Sequence, residues 1–166
     1  MKFKKYKFRK YRKSYLRFFQ MEKKKLKKIF PNAKVEHIGS TAIEGLGGKG
    51  IIDLQLGIIK SQVKNSINKL KENKYNLIEV GGDNKERWFF QKDYCSLGGI
   101  RRVQVHLTIL DSFTWKKCVK FRDILKKDKR LCEKYSKLKK DAIGKGLKND
   151  GYRDYKRKFI EEALRG

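Results

Sequence analysis

Residues 34–58 read KVEHIGSTAIEGLGGKGIIDLQLGI, and the arrangement of the rest of the chain follows from them. A β-like run, 34–38, leads through a small-residue turn and a glycine-rich segment into a second strand from Ile51. Asp53 and Gln55 are two residues apart, so they share one face of that strand, while apolar residues fill the other face. A small-residue turn followed by an acidic strand predicts a site that handles nucleotides.

The elements around this stretch alternate between helical and extended periods. An apolar stripe predicts a helix from Ser14 to about Phe30, and a shorter helix capped by Ser61. Alternating side chains predict strands at 75–80, 85–92 and 100–110, with 93–99 as a loop. The period is helical over 112–166. The order of elements indicates an α+β fold, with a mixed β-sheet, flanking helices and a helical C-terminal region.

At 166 residues the chain is long enough for one domain, 1–166, with a substantial core. No apolar run approaches the roughly 20 residues that a membrane helix needs. No apolar segment follows the basic N-terminus, so we expect neither a signal peptide nor membrane association. Three cysteines without metal-ligand spacing argue against a disulfide framework or a zinc site and favour a cytoplasmic protein.

The net charge of +27 is distributed unevenly. Residues 1–34 carry +14 and residues 116–166 carry +11, whereas residues 35–115 carry +2. The first thirteen residues form a basic N-terminal arm with interleaved aromatic side chains. These flanks suggest a surface for RNA or another polyanion. A lysine-rich composition is the alternative, since Lys outnumbers Arg by 34 to 11.

The glycines of the central stretch match two nucleotide motifs only superficially. Gly45, Gly47 and Gly50 satisfy G-x-G-x-x-G, but a dinucleotide-binding turn must open a helix, and here a strand follows. Lys49 is followed by Gly50 instead of Ser or Thr, which excludes a Walker A loop. Both motifs are therefore rejected.

A different arrangement fits the residues better. Backbone amides and the hydroxyl of Ser40 can hold phosphate oxygens at the turn Gly39-Ser40-Thr41. Asp53 can bind Mg²⁺ together with substrate phosphate, and Gln55 beside it offers a neutral carbonyl oxygen. If the strand 100–110 joins this sheet, His106 lines the same face. Three basic residues are candidate phosphate contacts, namely Lys49, Arg87 and Arg102.

These residues carry a resemblance to a known family. The stretch HIGSTAIEGLGGKGIID is similar to the HIGSTAVPGLAAKPIID motif of the GrpB-like proteins. Later segments resemble that family in the same order: 87–90, 105–108, 121–125, and the tyrosine–lysine patterns at Tyr135 to Lys139 and Tyr152 to Lys156. The resemblance covers roughly residues 6 to 165. It implies a nucleotidyltransferase-like fold of the polymerase-beta-like superfamily.

Four departures from this pattern bear on the loop and on activity. Glu44 and Gly50 replace family prolines, and Thr108 replaces a histidine of its HHLH strand. The wider superfamily uses Asp-x-Asp or Asp-x-Glu, whereas this chain has Asp53-Leu54-Gln55. One carboxylate gives weak support for a two-metal mechanism.

The sequence predicts a Mg²⁺-dependent nucleotidyltransferase-fold protein. It would bind a nucleoside triphosphate at Gly39, Ser40 and Asp53 and transfer a nucleoside monophosphate to an acceptor, with His106 orienting or deprotonating that acceptor. Two alternatives stay open: a non-catalytic nucleotide- or RNA-binding module that uses its basic flanks, and an interaction partner of another enzyme. The acceptor, the nucleobase and the oligomeric state are left open.

Overall fold

The computed structural model describes residues 7–81, 85–96 and 99–166 of the chain. Its elements in chain order are α1 (Ser14–Ile29), β1 (Lys34–Ile38), β2 (Ile52–Ile58), α2 (Val63–Glu72), β3 (Asn76–Gly81), β4 (Arg87–Ser96), β5 (Gly99–Ile109), α3 (Phe113–Lys127), α4 (Lys129–Gly144) and α5 (Asn149–Arg165). Short 3₁₀ turns span Ser40–Ala42 and Lys60–Gln62. The α+β fold predicted from the sequence is confirmed.

The five strands form one mixed sheet in the order β1-β2-β5-β4-β3. β2 and β5 are parallel, while the other neighbours are antiparallel. The β2–β5 register pairs Asp53 with Gln104 and Gln55 with His106. Because side chains alternate along each strand, Asp53, Gln55, Gln104 and His106 share one face. The strand 100–110 thus joins the sheet beside β2, which is the condition under which His106 shares the face of Asp53.

The opposite face of the sheet carries the main hydrophobic core. Leu54, Leu56, Val105 and Leu107 are fully buried there against α1 and α2. A second cluster on the site face joins Ile43 and Leu46 of the glycine-rich loop to α3 and α4. This second cluster positions the C-terminal helices over the residues of the candidate site.

Two of the local expectations are wrong. The residues 93–99 are largely strand, since β4 reaches Ser96 and β5 begins at Gly99; residues 97–98 lie outside the described residues. Ser61 lies within a 3₁₀ turn, and α2 begins after Gln62 without a side-chain cap. The residues Gly81-Gly82-Asp83-Asn84 predict a turn between the two strands, and 82–84 lie outside the described residues.

The described part of the basic arm lies along the glycine-rich loop. The amide of Arg9 donates to the carbonyl of Gly48 at 2.7 Å, and the amide of Gly48 donates back at 2.9 Å. A Cβ at Gly47 would meet the ring of Phe8 at 2.2 Å, so that contact requires glycine. The arm thus holds a loop that would otherwise have little regular structure. Residues 1–6 of the arm lie outside the described residues.

No helix in the described ranges has the length and apolar character needed to cross a membrane.

Candidate functional site

The turn after β1 brings its backbone against the carboxylate of Asp53. Gly39 has φ +69°, and Ser40 begins a 3₁₀ turn. A Cβ built at Gly39 would lie 2.3 Å from Oδ2 of Asp53. Both the positive φ and the close approach therefore require glycine at this position. The turn and the acidic strand are therefore adjacent in the structure.

His106 lies beside Asp53 on the same face of the sheet. Its Nε2 is 3.6 Å from Oδ1 of Asp53, and both side chains are partly exposed. The ring of Phe89 packs on the imidazole, with the ring centroids 4.9 Å apart. Nδ1 is buried and has no hydrogen-bond partner among the described residues. The aromatic contact fixes the ring, and Nε2 faces the carboxylate.

Ser40 lies against the glycine-rich loop. A Cβ built at Gly48 would be 2.4 Å from the Oγ of Ser40 and 3.4 Å from the Nζ of Lys139. Lys139, on α4, also donates a short hydrogen bond to the carbonyl of Gly47. A buried ammonium group therefore connects the C-terminal helices to the phosphate-binding turn predicted from the sequence.

Two lysines of the C-terminal helices have strongly perturbed pKa values. Burial, with a smaller contribution from nearby Lys156, lowers the pKa of Lys139 to about 7, while Asp53 opposes the shift. Burial lowers the pKa of Lys156 to about 8, with a further contribution from Lys49 and opposition from Asp53. Such like-charged groups repel one another, so an anion placed among them would be stabilised.

The rings of two tyrosines contact the ammonium groups of these lysines. The Nζ of Lys139 lies 4.8 Å from the ring centroid of Tyr135. The ring of Tyr152 meets two ammonium groups, that of Lys156 at 4.3 Å and that of Lys49 at 5.0 Å. These contacts favour the charged form of each lysine. Lys49, predicted as a phosphate contact, therefore belongs to the same cationic group as Lys156.

Lys139 and Lys156 are the residues that the sequence reasoning missed as site residues. Each follows a buried tyrosine by four residues, so lysine and tyrosine lie on one helix face. This repeated Tyr-x-x-x-Lys spacing is the signal that could have identified them, because it places an aromatic ring and an ammonium group at the same distance on both helices.

Gln55 does not lie where a metal ligand should. Its side chain is fully buried, and its Nε2 donates at 3.4 Å to Oγ1 of Thr108 and to the carbonyl of Trp115. The side chain lies beneath the first turn of α3, and its Oε1 is buried without a hydrogen-bond partner among the described residues. This placement argues against the predicted role of Gln55 in holding Mg²⁺.

Thr41 and Arg102 also have other partners. The hydroxyl of Thr41 is buried and donates to the carbonyl of Ile51 at 3.0 Å. Since its single proton is used there, the Nε2 of His37 donates to Thr41 at 3.0 Å. The guanidinium of Arg102 forms two hydrogen bonds, at 2.8 and 2.7 Å, with Asp93. Neither side chain is therefore directed at the predicted phosphate site.

Arg87 faces a separate cavity of about 570 Å³ between α3 and α5, and Lys156 lines the same cavity. The predicted phosphate contact of Arg87 would therefore be made there rather than at the Gly39-Ser40 turn.

The donor atoms near Asp53 limit what metal could bind. No group of three His, Cys, Asp or Glu side chains in the described ranges could hold a metal ion. A two-metal site therefore does not fit these residues. One Mg²⁺ that arrives with a nucleotide does fit, because Mg²⁺ keeps several waters and needs one or two carboxylates plus phosphate oxygens. Asp53 is the carboxylate available for it.

Comparisons with known proteins agree along nearly the whole chain. The family described as GrpB protein matches residues 5–165. The Glutamate-rich protein GrpB of Alkalihalophilus pseudofirmus is 30% identical over 155 residues, covering 89% of this chain and 87% of that protein. The crystal structure of conserved protein GrpB from Enterococcus faecalis superposes with a TM-score of 0.76 at 25% identity, covering 96% of this chain and 98% of that chain.

A weaker structural likeness is to a polymerase. The Cid1 poly(U) polymerase with MgGTP bound superposes with a TM-score of 0.49 at 12% identity, covering 88% of this chain and 50% of that chain. At this distance the likeness assigns no activity.

Proposed function

The chain belongs to the GrpB family, and on that premise we propose that it binds a nucleoside triphosphate at the Gly39-Ser40 turn and Asp53. The observation that carries the proposal is that the turn lies against the Asp53 carboxylate. A Cβ built at position 39 would lie 2.3 Å from Oδ2 of Asp53. Backbone amides of such a turn suit phosphate oxygens.

The cationic groups around the turn would supply the rest of the phosphate site. Lys49 and Lys156 reach it from the glycine-rich loop and from α5, and both stack on Tyr152. Lys139 is buried behind Ser40 and holds the loop through Gly47. We therefore assign Lys49 and Lys156 to direct phosphate contact and Lys139 to positioning. Mg²⁺ bound with the nucleotide would neutralise part of the phosphate charge at Asp53.

The reaction that this arrangement would support is transfer of a nucleoside monophosphate. An oxygen or nitrogen of the acceptor would form a bond to the α-phosphorus, and the bond to the β-phosphate oxygen would break. Pyrophosphate would leave with that electron pair. His106 would take the proton of the acceptor at Nε2, the atom that faces the site. Ser40 and its amide would hold the transferred phosphoryl group.

The test is isothermal titration with ATP, CTP, GTP and UTP in the presence of Mg²⁺. We expect at least one of them to bind, and Asp53→Ala to weaken that binding at least tenfold. Asp141→Ala is the matched control, because Asp141 is an exposed α4 residue that pairs with Lys145. If none of the four nucleotides binds, or if Asp53→Ala leaves binding unchanged, the site assignment is wrong.

A second function, binding of RNA through the basic flanks, is favoured by the position of the arm. Lys10, Arg12 and Lys13 are exposed, and the bond between Arg9 and Gly48 holds this arm beside the site's glycine-rich loop. An RNA strand bound along the arm would reach the glycine-rich loop. Phosphate contacts predict a log–log salt slope of about −0.7 per neutralised phosphate on single strands. Exchange of Lys10, Arg12 and Lys13 for Gln should reduce that slope without changing nucleotide affinity, and a flat salt dependence of the unmodified protein would reject the function.

A further inference from the structure

A cavity of about 570 Å³ lies between α3, α5 and the start of β4, beside the proposed nucleotide site. Its volume is within the range of small-molecule pockets. Lys156 lines this cavity and also belongs to the cationic group around Asp53. The Asp53 carboxylate is near enough to oppose the lowering of the Lys156 pKa. The cavity is therefore adjacent to the proposed nucleotide site and is not part of the Gly39-Ser40 turn.

The walls of the cavity combine positive charge with apolar surface. Five cations line it against one carboxylate, Glu161, and Phe121 and Ile160 contribute apolar surface. The cations are Arg87, Lys117, Arg153, Lys156 and Arg157. Phe121 in turn packs edge-on against Tyr135, with the ring centroids 5.2 Å apart. A ligand that fits these walls has an anionic end and an apolar or aromatic body.

Arg87 provides the most specific observation. Its Nε is buried and has no hydrogen-bond partner among the described residues. Buried donors are normally satisfied, so a donor without a partner at a cavity wall indicates a ligand acceptor. By contrast, the guanidinium of Arg153 is held by Glu79 at 2.7 Å and by Asp150. Arg87 is therefore the cation of this cavity that is set for a ligand oxygen.

We propose that this cavity binds an organic oxyanion with an apolar body, either a phosphate monoester or a carboxylate, through Arg87 and Lys156. An arginine fork donates paired N–H bonds to either oxyanion. The further assignment of this ligand as the second substrate, the acceptor of the nucleotidyl group, rests on the proposed function. Binding to the cavity does not.

Cys118 gives a readout confined to the cavity. Its side chain lines the cavity, whereas Cys95 is exposed on β4 and serves as an internal reference. A ligand that fills the cavity at ten times its dissociation constant should slow alkylation of Cys118 by iodoacetamide about tenfold. Peptide mass spectrometry follows both cysteines in the same sample of the full-length protein, without nucleotide or metal.

The probes are phenyl phosphate, benzoate and phenol at neutral pH. We expect phenyl phosphate or benzoate to slow alkylation of Cys118 but not of Cys95, and their relative potency distinguishes a phosphate from a carboxylate ligand. Phenol, which lacks the oxyanion, should not. Arg87→Gln should remove the protection, and Arg130→Gln, which makes the same charge change at an exposed α4 residue, should keep it.

Three outcomes would overturn the inference: no protection by either anion, equal protection by phenol, or protection that survives in Arg87→Gln. The assay also separates the two proposals. Asp53→Ala should retain protection of Cys118, so a protein that binds no nucleotide but shows Arg87-dependent protection would refute the nucleotide site alone.

Discussion

Gly39 and Asp53 are in direct contact across the sheet edge: a Cβ at position 39 would lie 2.3 Å from the carboxylate oxygen Oδ2. Ile38 pairs with Asp53 between β1 and β2, so the chain turns at Gly39 as soon as it has passed the carboxylate. The same glycine therefore allows the turn and sets the distance between the phosphate-binding amides and Asp53.

Replacing Gly39 by alanine should disturb both stability and the site. The positive φ of +69° strains any residue with a Cβ, and the clash forces the Asp53 side chain or the turn to move. We expect Gly39→Ala to destabilise the fold by about 2–4 kcal/mol and to abolish nucleotide binding. Urea unfolding and isothermal titration measure the two effects.

Gly45→Ala is the matched control for that experiment. Gly45 also has a positive φ, +80°, but a Cβ there would meet nothing within 4 Å. Gly45→Ala should therefore lose only the free energy of the backbone strain, about 1 kcal/mol, and keep its nucleotide affinity. Equal effects of the two substitutions would show that the contact with Asp53 is unimportant.

Restoring the acid that the superfamily pattern has at position 55 should not create a metal site. Gln55 is fully buried beneath α3, and Gln55→Glu would bury a carboxylate opposite the carbonyl of Trp115. We expect a loss of about 2–4 kcal/mol in the free energy of unfolding at pH 7 and no gain in Mg²⁺ affinity. Urea unfolding with and without Mg²⁺ tests both expectations.

Gln55→Met keeps the length of the side chain without the charge, and we expect it to be the milder substitution. If Gln55→Glu matched the stability of Gln55→Met and bound Mg²⁺ more tightly than the unmodified protein, then position 55 would face the site after all.

The contrast between Gln55 and His106 shows what the sequence could and could not predict. Both positions follow from strand alternation, which places Asp53, Gln55 and His106 on one face. The side chains differ because Gln55 is fully buried and contacts the Trp115 carbonyl, whereas His106 is partly exposed. The contact with Trp115 joins residues 60 apart in sequence. Strand alternation does not indicate which helix will pack over which residues of the sheet.

The sequence reasoning missed Lys139 and Lys156 for a different reason. The chain contains 34 lysines, and those of α4 and α5 have the helical spacing expected of solvated side chains. What distinguishes Lys139 is its burial against the glycine-rich loop, which depends on how the C-terminal helices pack on residues 43–48. The aromatic core, by contrast, follows directly from the helical and strand periods.

Acid should destabilise the protein through His37. Its ring stacks on Phe19, and burial lowers the pKa of His37 from 6.5 to about 4. Between these two values the unfolded chain binds a proton that the folded protein does not, so stability falls as the pH drops from 6.5 to 4. The expected loss through this group is about 3 kcal/mol.

Urea unfolding from pH 7 to pH 4.5 measures this loss. His37→Gln should be less stable at pH 7, since the stacking on Phe19 is lost, but its stability should depend less on pH. Parallel pH profiles of the two proteins would contradict the assignment of the acid sensitivity to His37.

Nucleotide affinity should fall as the pH rises above 7, because the lysines must be charged to hold phosphate. In the free protein Lys156 loses its proton near pH 8 and Lys139 near pH 7. A bound phosphate raises both pKa values, so binding above these values takes up protons and weakens by up to about tenfold per pH unit for each lysine. Isothermal titration between pH 6.5 and 9, in buffers of different ionisation enthalpy, measures affinity and proton uptake together.

Lys156→Gln should weaken binding at pH 6.5 and flatten the pH profile of nucleotide affinity, whereas Lys140→Gln, at an exposed position of α4, should change neither. A profile that keeps its slope in Lys156→Gln would remove Lys156 from the phosphate site.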